Sequence, residues 1–166
     1  MIELTNKEIL TKTIMENIFV PIIHKIFEEA SPLEYRMWRS NACRQTAIFG
    51  KKILEELLPE YDWTAWDGNF SDIIDGKRVK YNHAWIHGIN KEKSKGLLVD
   101  LSRNHHERLF IPVEKNSYPK KHESYKHMRV ISKERLDVET LLCEEEYYTK
   151  MKGRDLLEKI KKDMGM

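Results

Sequence analysis

The stretch SNACRQTAIFG, residues 40–50, places a cysteine at the start of a predicted helix. Ser40 or Asn41 is expected to cap this helix, which runs to about Leu58. Backbone amides and the helix dipole favour negative charge at such an N-terminus, and therefore favour the thiolate form of Cys43. The alternative is that Cys43 is a small buried apolar residue, since cysteine is among the most buried residue types. The choice between these two interpretations decides what function the sequence predicts.

The residues before this stretch have the apolar spacing of helices. Thr5 and Glu8 have the positions of a capping box at the start of the first helix. Pro21 is expected to kink or split that helix, because proline lacks an amide donor and clashes with the preceding turn. Ser31 and Glu34 form a second box, which predicts a further short helix.

After residue 59 the pattern changes to the alternation of β-strands. Residues 61–66 predict a strand, and Asp67-Gly68 and Asp75-Gly76 are turn signals. VKYNHAWI, residues 79–86, predicts a strand with His83 among its larger side chains. A polar hairpin loop is expected over residues 88–95, and GLLVDLS, residues 96–102, predicts the next strand.

Two further strands and a closing helical region complete the predicted elements. RLFIPVE, residues 108–114, and MRVISK, residues 128–133, are the strand candidates. The helical pattern returns at Asp137 with an interruption at Gly153. The sequence therefore predicts an α+β architecture with N-terminal helices, an antiparallel sheet and a C-terminal helix.

The predicted hairpin brings a histidine and a carboxylate together. Antiparallel pairing around the loop places His83 and Asp100 directly opposite one another or nearly so, on one face of the sheet. A reactive thiolate needs a base such as histidine, and that histidine needs a group to orient it. Cys43, His83 and Asp100 are therefore the candidate catalytic residues.

The order of these three residues resembles the transglutaminase-like branch of the papain-like cysteine enzymes. The resemblance rests on Cys43 in CRQTA, His83 in NHAWI and Asp100 in LLVDLS. This branch includes transglutaminases, arylamine N-acetyltransferases and lasso-peptide leader peptidases. It implies a papain-like fold in which the nucleophile helix packs on a central antiparallel sheet, here as one domain over residues 1–166.

The resemblance also implies a role for each residue. Cys43 would be the nucleophile that forms a thioester, His83 the general base and then acid, and Asp100 the group that orients the imidazole. The amide of Cys43 would stabilise the oxyanion, and the candidates for a second donor or a substrate contact are Asn41, Asn82 and Trp85. The implied activity is that of a cysteine-dependent hydrolase or acyltransferase without a cofactor. Its substrate would be a peptide, a protein or a small molecule with an amide or related acyl bond.

A basic stretch offers a different, non-enzymatic interpretation. Residues 115–135 contain seven lysine or arginine residues, with Tyr118 and Tyr125 among them. Such a stretch can hold nucleic acid or an acidic protein, although a solvated loop and strand is its more common role. A non-catalytic binding module is therefore the alternative function.

Histidine-rich positions raise the further alternative of a metal site. His83 and His87 lie on one face of a strand, and Asp100, His105 and His106 follow. Four residues of strand separate the two histidines by about 13 Å, which is too far for one ion. The sequence also lacks HExxH and paired CxxC motifs, and we expect no metal centre.

The composition limits the class of protein. The chain has 166 residues, 40% of them hydrophobic and 34% charged, with a net charge of +2. No apolar run has the length of a membrane span, and the N-terminus lacks the pattern of a secretory signal. We therefore expect a cytoplasmic protein with free thiols at Cys43 and Cys143 and no membrane partner. The high content of Lys, Ile and Glu suggests an AT-rich bacterial or phage genome.

Overall fold

An antiparallel sheet lies at the middle of the chain in the computed structural model, which describes residues 3–37, 42–92, 94–102, 109–114 and 122–166. Within these ranges the strands are β1 (Tyr61–Ile74), β2 (Lys77–Asn90), β3 (Lys95–Asp100), β4 (Leu109–Glu114) and β5 (Arg129–Arg135). The five strands lie in the order β4-β3-β2-β1-β5, and every neighbouring pair is antiparallel.

Helices precede and follow the sheet, as the sequence predicts. They are α1 (Asn6–Ile14), α2 (Val20–Ala30), α3 (Pro32–Met37), α4 (Cys43–Leu57), α5 (Val138–Cys143) and α6 (Gly153–Asp163). The predicted α+β class, with N-terminal helices, an antiparallel sheet and a C-terminal helix, is confirmed. No helix in the described ranges is long and apolar enough to cross a membrane.

The N-terminal helical region shows how the chain accommodates a proline. The capping box of Thr5 and Glu8 is present at the start of α1. A π-helical turn, Met15–Phe19, joins α1 to α2, and Pro21 occupies the first turn of α2. The wider turn is suited to this position because proline cannot donate to the preceding turn. Pro21 thus divides the helix without a break in the helical path.

Helix α4 begins at Cys43 itself. Its N-cap residue is Ala42, whose side chain makes no capping hydrogen bond. The expected cap by Ser40 or Asn41 is therefore wrong, and both of those residues lie outside the described ranges. The apolar Ala42 side chain cannot accept from the amides of the first turn of α4.

One of the two predicted turns in the first hairpin is correct. Asp75 and Gly76, with φ of 51° and 77°, join β1 to β2. Positive φ at both residues is the geometry of a two-residue hairpin turn. Asp67-Gly68, in contrast, lies inside β1, between partners on β2 and β5. The prediction failed because Gly68 serves the packing of β5 and not a turn. A Cβ at this position would lie 2.5 Å from the Ser132 carbonyl oxygen.

The loop predicted over residues 88–95 is shorter than expected. Strand β2 continues through Asn90, and Gly88 pairs with Trp63 on one side and Leu97 on the other. A Cβ at Gly88 would lie 2.6 Å from the Trp63 ring, so this glycine makes room for the indole. The longer strand shifts the register of β2 against β3 by two residues, so that Ile86 lies opposite Val99. A shift of two preserves which side chains share a face.

The sheet has an apolar cluster on each of its two faces. Helices α2, α4 and α6 share one cluster with alternate strand residues such as Ala65, Ile86 and Val99. The second cluster consists of intervening strand residues and one tyrosine from a later turn: Phe70, Trp85, Leu98, Leu109, Val113 and Tyr125. Helix α4 therefore packs on the sheet, with Gly50 directly against Ile86.

Candidate active site

A buried imidazole–carboxylate pair lies where β2 and β3 separate. The Nε2 atom of His83 lies 2.8 Å from Oδ1 and 2.9 Å from Oδ2 of Asp100. His83 is 4% exposed and Asp100 is 1% exposed, so both side chains are shielded from water. The register shift places them diagonally rather than directly opposite, yet they share a face and remain in hydrogen-bond contact. The structure thus brings together the predicted histidine and aspartate.

The predicted nucleophile contacts the same imidazole. The side chain of Cys43 lies close enough to His83 to raise the pKa of the imidazole. Because Nε2 faces Asp100, the ring nitrogen that remains for the sulfur is Nδ1. Cys43 is partly exposed, as access of a reagent or substrate to this residue requires. One imidazole therefore connects a thiol to a buried carboxylate.

The first turn of α4 is fixed beside this pair by contacts on two sides. Thr46 lies 3.0 Å from the hydroxyl of Ser102, just beyond the end of β3. Arg44 donates to Asp67 Oδ2 on β1 at 3.1 Å. The β2–β3 ladder ends at the pair of Ile86 and Val99, so the helix terminus meets the two strands where they part. These contacts hold Cys43 at the imidazole.

The imidazole is stabilised in its charged form. Burial lowers the pKa of His83, but the charge and hydrogen bond of Asp100 and the contact with Cys43 outweigh burial. The net result is a pKa raised from 6.5 to about 10. At neutral pH an imidazolium therefore lies beside the Cys43 side chain.

A tyrosine holds the buried carboxylate from the other side. The hydroxyl of Tyr125 donates to Asp100 Oδ2 at 2.9 Å, and Tyr125 is itself 3% exposed. Tyr125 comes from a short 3₁₀ turn, Glu123–Tyr125, within the basic stretch. In the sequence this tyrosine is distinguished only as part of that stretch, because no periodicity or motif connects it to Asp100. It is the main site residue that sequence reasoning missed.

The candidates for a second oxyanion donor have different positions. Trp85 is 2% exposed and stacks on His83, with ring centroids 6.4 Å apart and an interplanar angle of 13°. It therefore packs the imidazole in place. Asn82 lies on the opposite face of β2 and donates to the Gly68 carbonyl at 3.0 Å. Asn41 lies outside the described residues.

The last part of the basic stretch, β5, forms an exposed edge strand. Every residue of β5 is exposed, and residues 115–121 lie outside the described ranges. Lys133 and Arg135 lie over the Trp66 ring, with their charged groups 4.5 and 5.5 Å from its centre. Among the described residues no group of three or more His, Cys, Asp or Glu could hold a metal ion, and His105 and His106 lie outside them.

Comparison with known proteins gives no relative. The chain matches no protein-family model, and no curated protein or solved structure is significantly similar to it. The geometry of the site therefore carries the functional argument.

Proposed function

We propose that this chain is a cysteine-dependent hydrolase or acyltransferase that acts on an amide or related acyl bond through a thioester. The observation that carries the proposal is the position of His83, which lies beside Cys43 and contacts Asp100 through Nε2. A thiol, an imidazole and a carboxylate in this chain of contacts are the groups that nucleophilic acyl transfer requires.

The proposed reaction begins with the thiolate of Cys43. Its sulfur attacks the carbonyl carbon, so that a C–S bond forms and the carbonyl electron pair moves to oxygen. Amides of the first turn of α4, which Ala42 does not cap, are placed to stabilise this oxyanion. The oxyanion then collapses, the C–N bond breaks, and the Nδ1 proton of His83 passes to the departing nitrogen.

The thioester is then resolved by a second nucleophile. Water or an amine gives its proton to the neutral His83 as it attacks the carbonyl, and the Cys43 thiolate is released. Asp100 holds the imidazole in orientation and stabilises its charge in both halves of the reaction, and Tyr125 holds Asp100. With water the chain is a peptidase or amidase, and with an amine it is an acyltransferase.

We also propose that the chain has a papain-like fold of the transglutaminase-like branch. Three features support the assignment: a cysteine at the first residue of a helix, a histidine on a strand of an antiparallel sheet, and an aspartate on the next strand. The chain order Cys43, His83, Asp100 is the order of that branch.

The proposal is tested by acylation of the protein with 4-nitrophenyl acetate. We expect one acetyl group on Cys43, detected by peptide mass spectrometry and removed by hydroxylamine, with nitrophenol released in a burst. Cys143→Ser should keep the burst, whereas Cys43→Ser should lose the thioester. Acetylation of both cysteines at equal rates in the wild type would contradict the proposal.

A binding module remains the second candidate because β5 presents its basic residues at an exposed sheet edge. It would be favoured if Cys43 is not acylated and the protein binds single-stranded DNA with an affinity that falls steeply with salt. Lys133→Gln with Arg135→Gln should then abolish binding.

A further inference from the structure

Three basic side chains meet on one face of the sheet, near the turn between β1 and β2. Lys80 on β2 and Arg129 on β5 both lie directly opposite Ser71 on β1, so the three side chains share a face. Arg78 lies two residues before Lys80 and donates to Ser71 Oγ at 3.0 Å, so it belongs to the same face. We call these four residues, Ser71, Arg78, Lys80 and Arg129, the Ser71 patch.

The guanidinium of Arg78 is held in place with one edge open. Its Nη1 atom donates to Ser71 Oγ and also to the His127 carbonyl at 3.4 Å, so β1 and the turn before β5 both fix it. Its Nε and Nη2 atoms make no hydrogen bond with the described residues. These two atoms form an edge with which arginine can bind a carboxylate through two parallel bonds. Arg78 is therefore oriented to receive an anion.

The carboxylates nearest in sequence do not neutralise the Ser71 patch. Asp72 lies on the opposite face of β1, where it accepts from Tyr81 at 3.3 Å. Asp75 lies in the exposed turn between β1 and β2, where Lys77 carries a matching positive charge. None of the three cations of the patch forms an ion pair with a carboxylate of the described residues.

Two acidic residues share the face of the Ser71 patch but lie at a distance from it. Asp67 is four residues before Ser71 in β1, and Glu134 lies opposite Asp67 on β5. Four residues of strand span about 13 Å, which is well beyond an ion-pair distance. Asp67 is also paired with Arg44 at 3.1 Å. The described carboxylates therefore leave the positive charge of the patch without a partner.

The chemistry of the Ser71 patch fits the carboxylates of a polypeptide. Two guanidinium groups and an ammonium on one face repel each other, and a bound anion would offset this repulsion. Ile73 lies directly opposite Arg78 and is 36% exposed, so it adds apolar surface beside the cations. An acidic segment can thus place its carboxylates on the cations and an apolar side chain on Ile73.

Single-stranded nucleic acid fits the patch less well, because its bases need aromatic side chains on which to stack. The described aromatic residues of this part of the sheet, Phe70 and Tyr81, belong to the opposite face. Lys133 and Arg135 also lie on that opposite face, over Trp66, and are not part of the patch.

We infer that the Ser71 patch is a docking site for an acidic segment of a partner polypeptide, whose carboxylates are bound by Arg78, Lys80 and Arg129. The inference goes beyond the proposed function, because docking at this face requires no reaction at Cys43.

Binding of an acidic peptide tests the inference directly. Titration with hexaglutamate that has blocked ends, followed by NMR at low salt, should shift the amides of Ser71 and Lys80, and hexaglutamine should not. Lys80→Gln combined with Arg129→Gln should weaken binding about tenfold, since each exposed ion pair contributes modestly. Arg154→Gln combined with Lys162→Gln, at exposed positions of α6, is the matched control and should bind as the wild type does.

Two further variants separate specific docking from general attraction between charges. Arg78→Lys keeps the charge but removes the guanidinium edge, so it should weaken binding about threefold. Lys80→Glu combined with Arg129→Glu should bind hexalysine in place of hexaglutamate, with urea unfolding as the check that this variant is folded. A folded charge-reversed variant that still binds hexaglutamate as the wild type does would overturn the inference.

The remaining outcomes decide the nature of the partner. Equal binding of hexaglutamate and hexaglutamine, or equal binding by wild type and the double glutamine variant of Lys80 and Arg129, would overturn the inference. Tighter binding of a thymidine oligonucleotide of equal charge would assign the patch to nucleic acid and overturn the polypeptide partner. Cys43→Ser should bind hexaglutamate as the wild type does, so failure of docking is distinguishable from failure of the proposed function.

Discussion

The Nε2 atom of His83 lies within 2.9 Å of both carboxylate oxygens of Asp100, in a site that excludes most of the solvent. This relationship fixes the imidazole and leaves Nδ1 as the ring nitrogen available to Cys43. It also explains the raised pKa of His83, because the aspartate charge outweighs the cost of burying an imidazolium.

Asp100→Asn should lower the pKa of His83 from about 10 to 6.5 or below. The substitution removes the negative charge that opposes burial, and burial alone favours the neutral imidazole. NMR titration of the ring protons, assigned with His83→Gln, measures the change. Asp137→Asn, at the N-cap of α5, should leave the His83 titration unchanged. A His83 pKa that is the same in wild type and Asp100→Asn would show that Asp100 does not stabilise the protonated imidazole.

Tyr125→Phe should reduce the rate of Cys43 acylation about tenfold. The hydroxyl donates to the buried Asp100, and loss of a hydrogen bond to a charged group costs about 1.5–3 kcal/mol. Tyr35→Phe removes a comparable hydrogen bond, to His24 at 3.0 Å, away from the site. It serves as the control for stability, measured by urea unfolding. If both variants acylate at the wild-type rate, Tyr125 has no role in positioning Asp100.

Gly68→Ala should destabilise the protein by about 1–3 kcal/mol, because a Cβ at this position meets the Ser132 carbonyl at 2.5 Å and β1 or β5 must move. Asn69→Ala, at the next and exposed position, removes one hydrogen bond to Ser132 and should cost about 1 kcal/mol or less. Denaturant unfolding compares the two. Equal stabilities would mean that β5 does not pack against Gly68 as described.

Glu8→Gln should cost about 3 kcal/mol, because it leaves Lys95, whose side chain is 12% exposed, without its carboxylate partner. Tyr61 also donates to Glu8, at 2.9 Å, so the cluster ties α1 to two strands. Glu60→Gln breaks an exposed ion pair with Lys7 and should cost less than about 1 kcal/mol. Thermal unfolding at neutral pH compares the stabilities of the two variants. Similar losses of stability would contradict the burial of the Glu8 ion pair.

The same cluster predicts acid sensitivity. Burial raises the pKa of Glu8, but hydrogen bonds from Lys95, the Thr5 amide and Tyr61 outweigh it and hold the pKa below its ordinary value of 4.5. Glu8 therefore contributes stability above pH 4.5, and this contribution is lost as the pH falls through the lowered pKa. The stability difference between wild type and Glu8→Gln should shrink in that acid range.

Much of the fold was predictable because the signals are local. The capping box at Thr5, the turn at Asp75-Gly76 and the change of apolar period after residue 59 each depend on neighbouring residues. The contact between Asp100 and His83 was predictable although the expected register of β2 against β3 was wrong by two residues. A shift of two residues keeps side chains on the same face.

The rest depends on contacts between distant segments. Gly68 and Gly88 are residues typical of turns, yet both lie in strands. Ser132 approaches Gly68 closely, and Trp63 approaches Gly88. Tyr125 reaches Asp100 across 25 positions of sequence without any periodic pattern. Such positions are fixed by tertiary packing, and a single sequence does not reveal them.

Alkylation of Cys43 by iodoacetamide as a function of pH tests the central claim most directly. Wild type and His83→Ala are compared, and the exposed Cys143 is the internal control in both. A thiolate paired with the His83 imidazolium should make Cys43 react at pH 6 at least about tenfold faster than Cys143, and His83→Ala should abolish the difference. Labelling of Cys43 that tracks Cys143 at every pH, or that is unchanged in His83→Ala, would contradict the account.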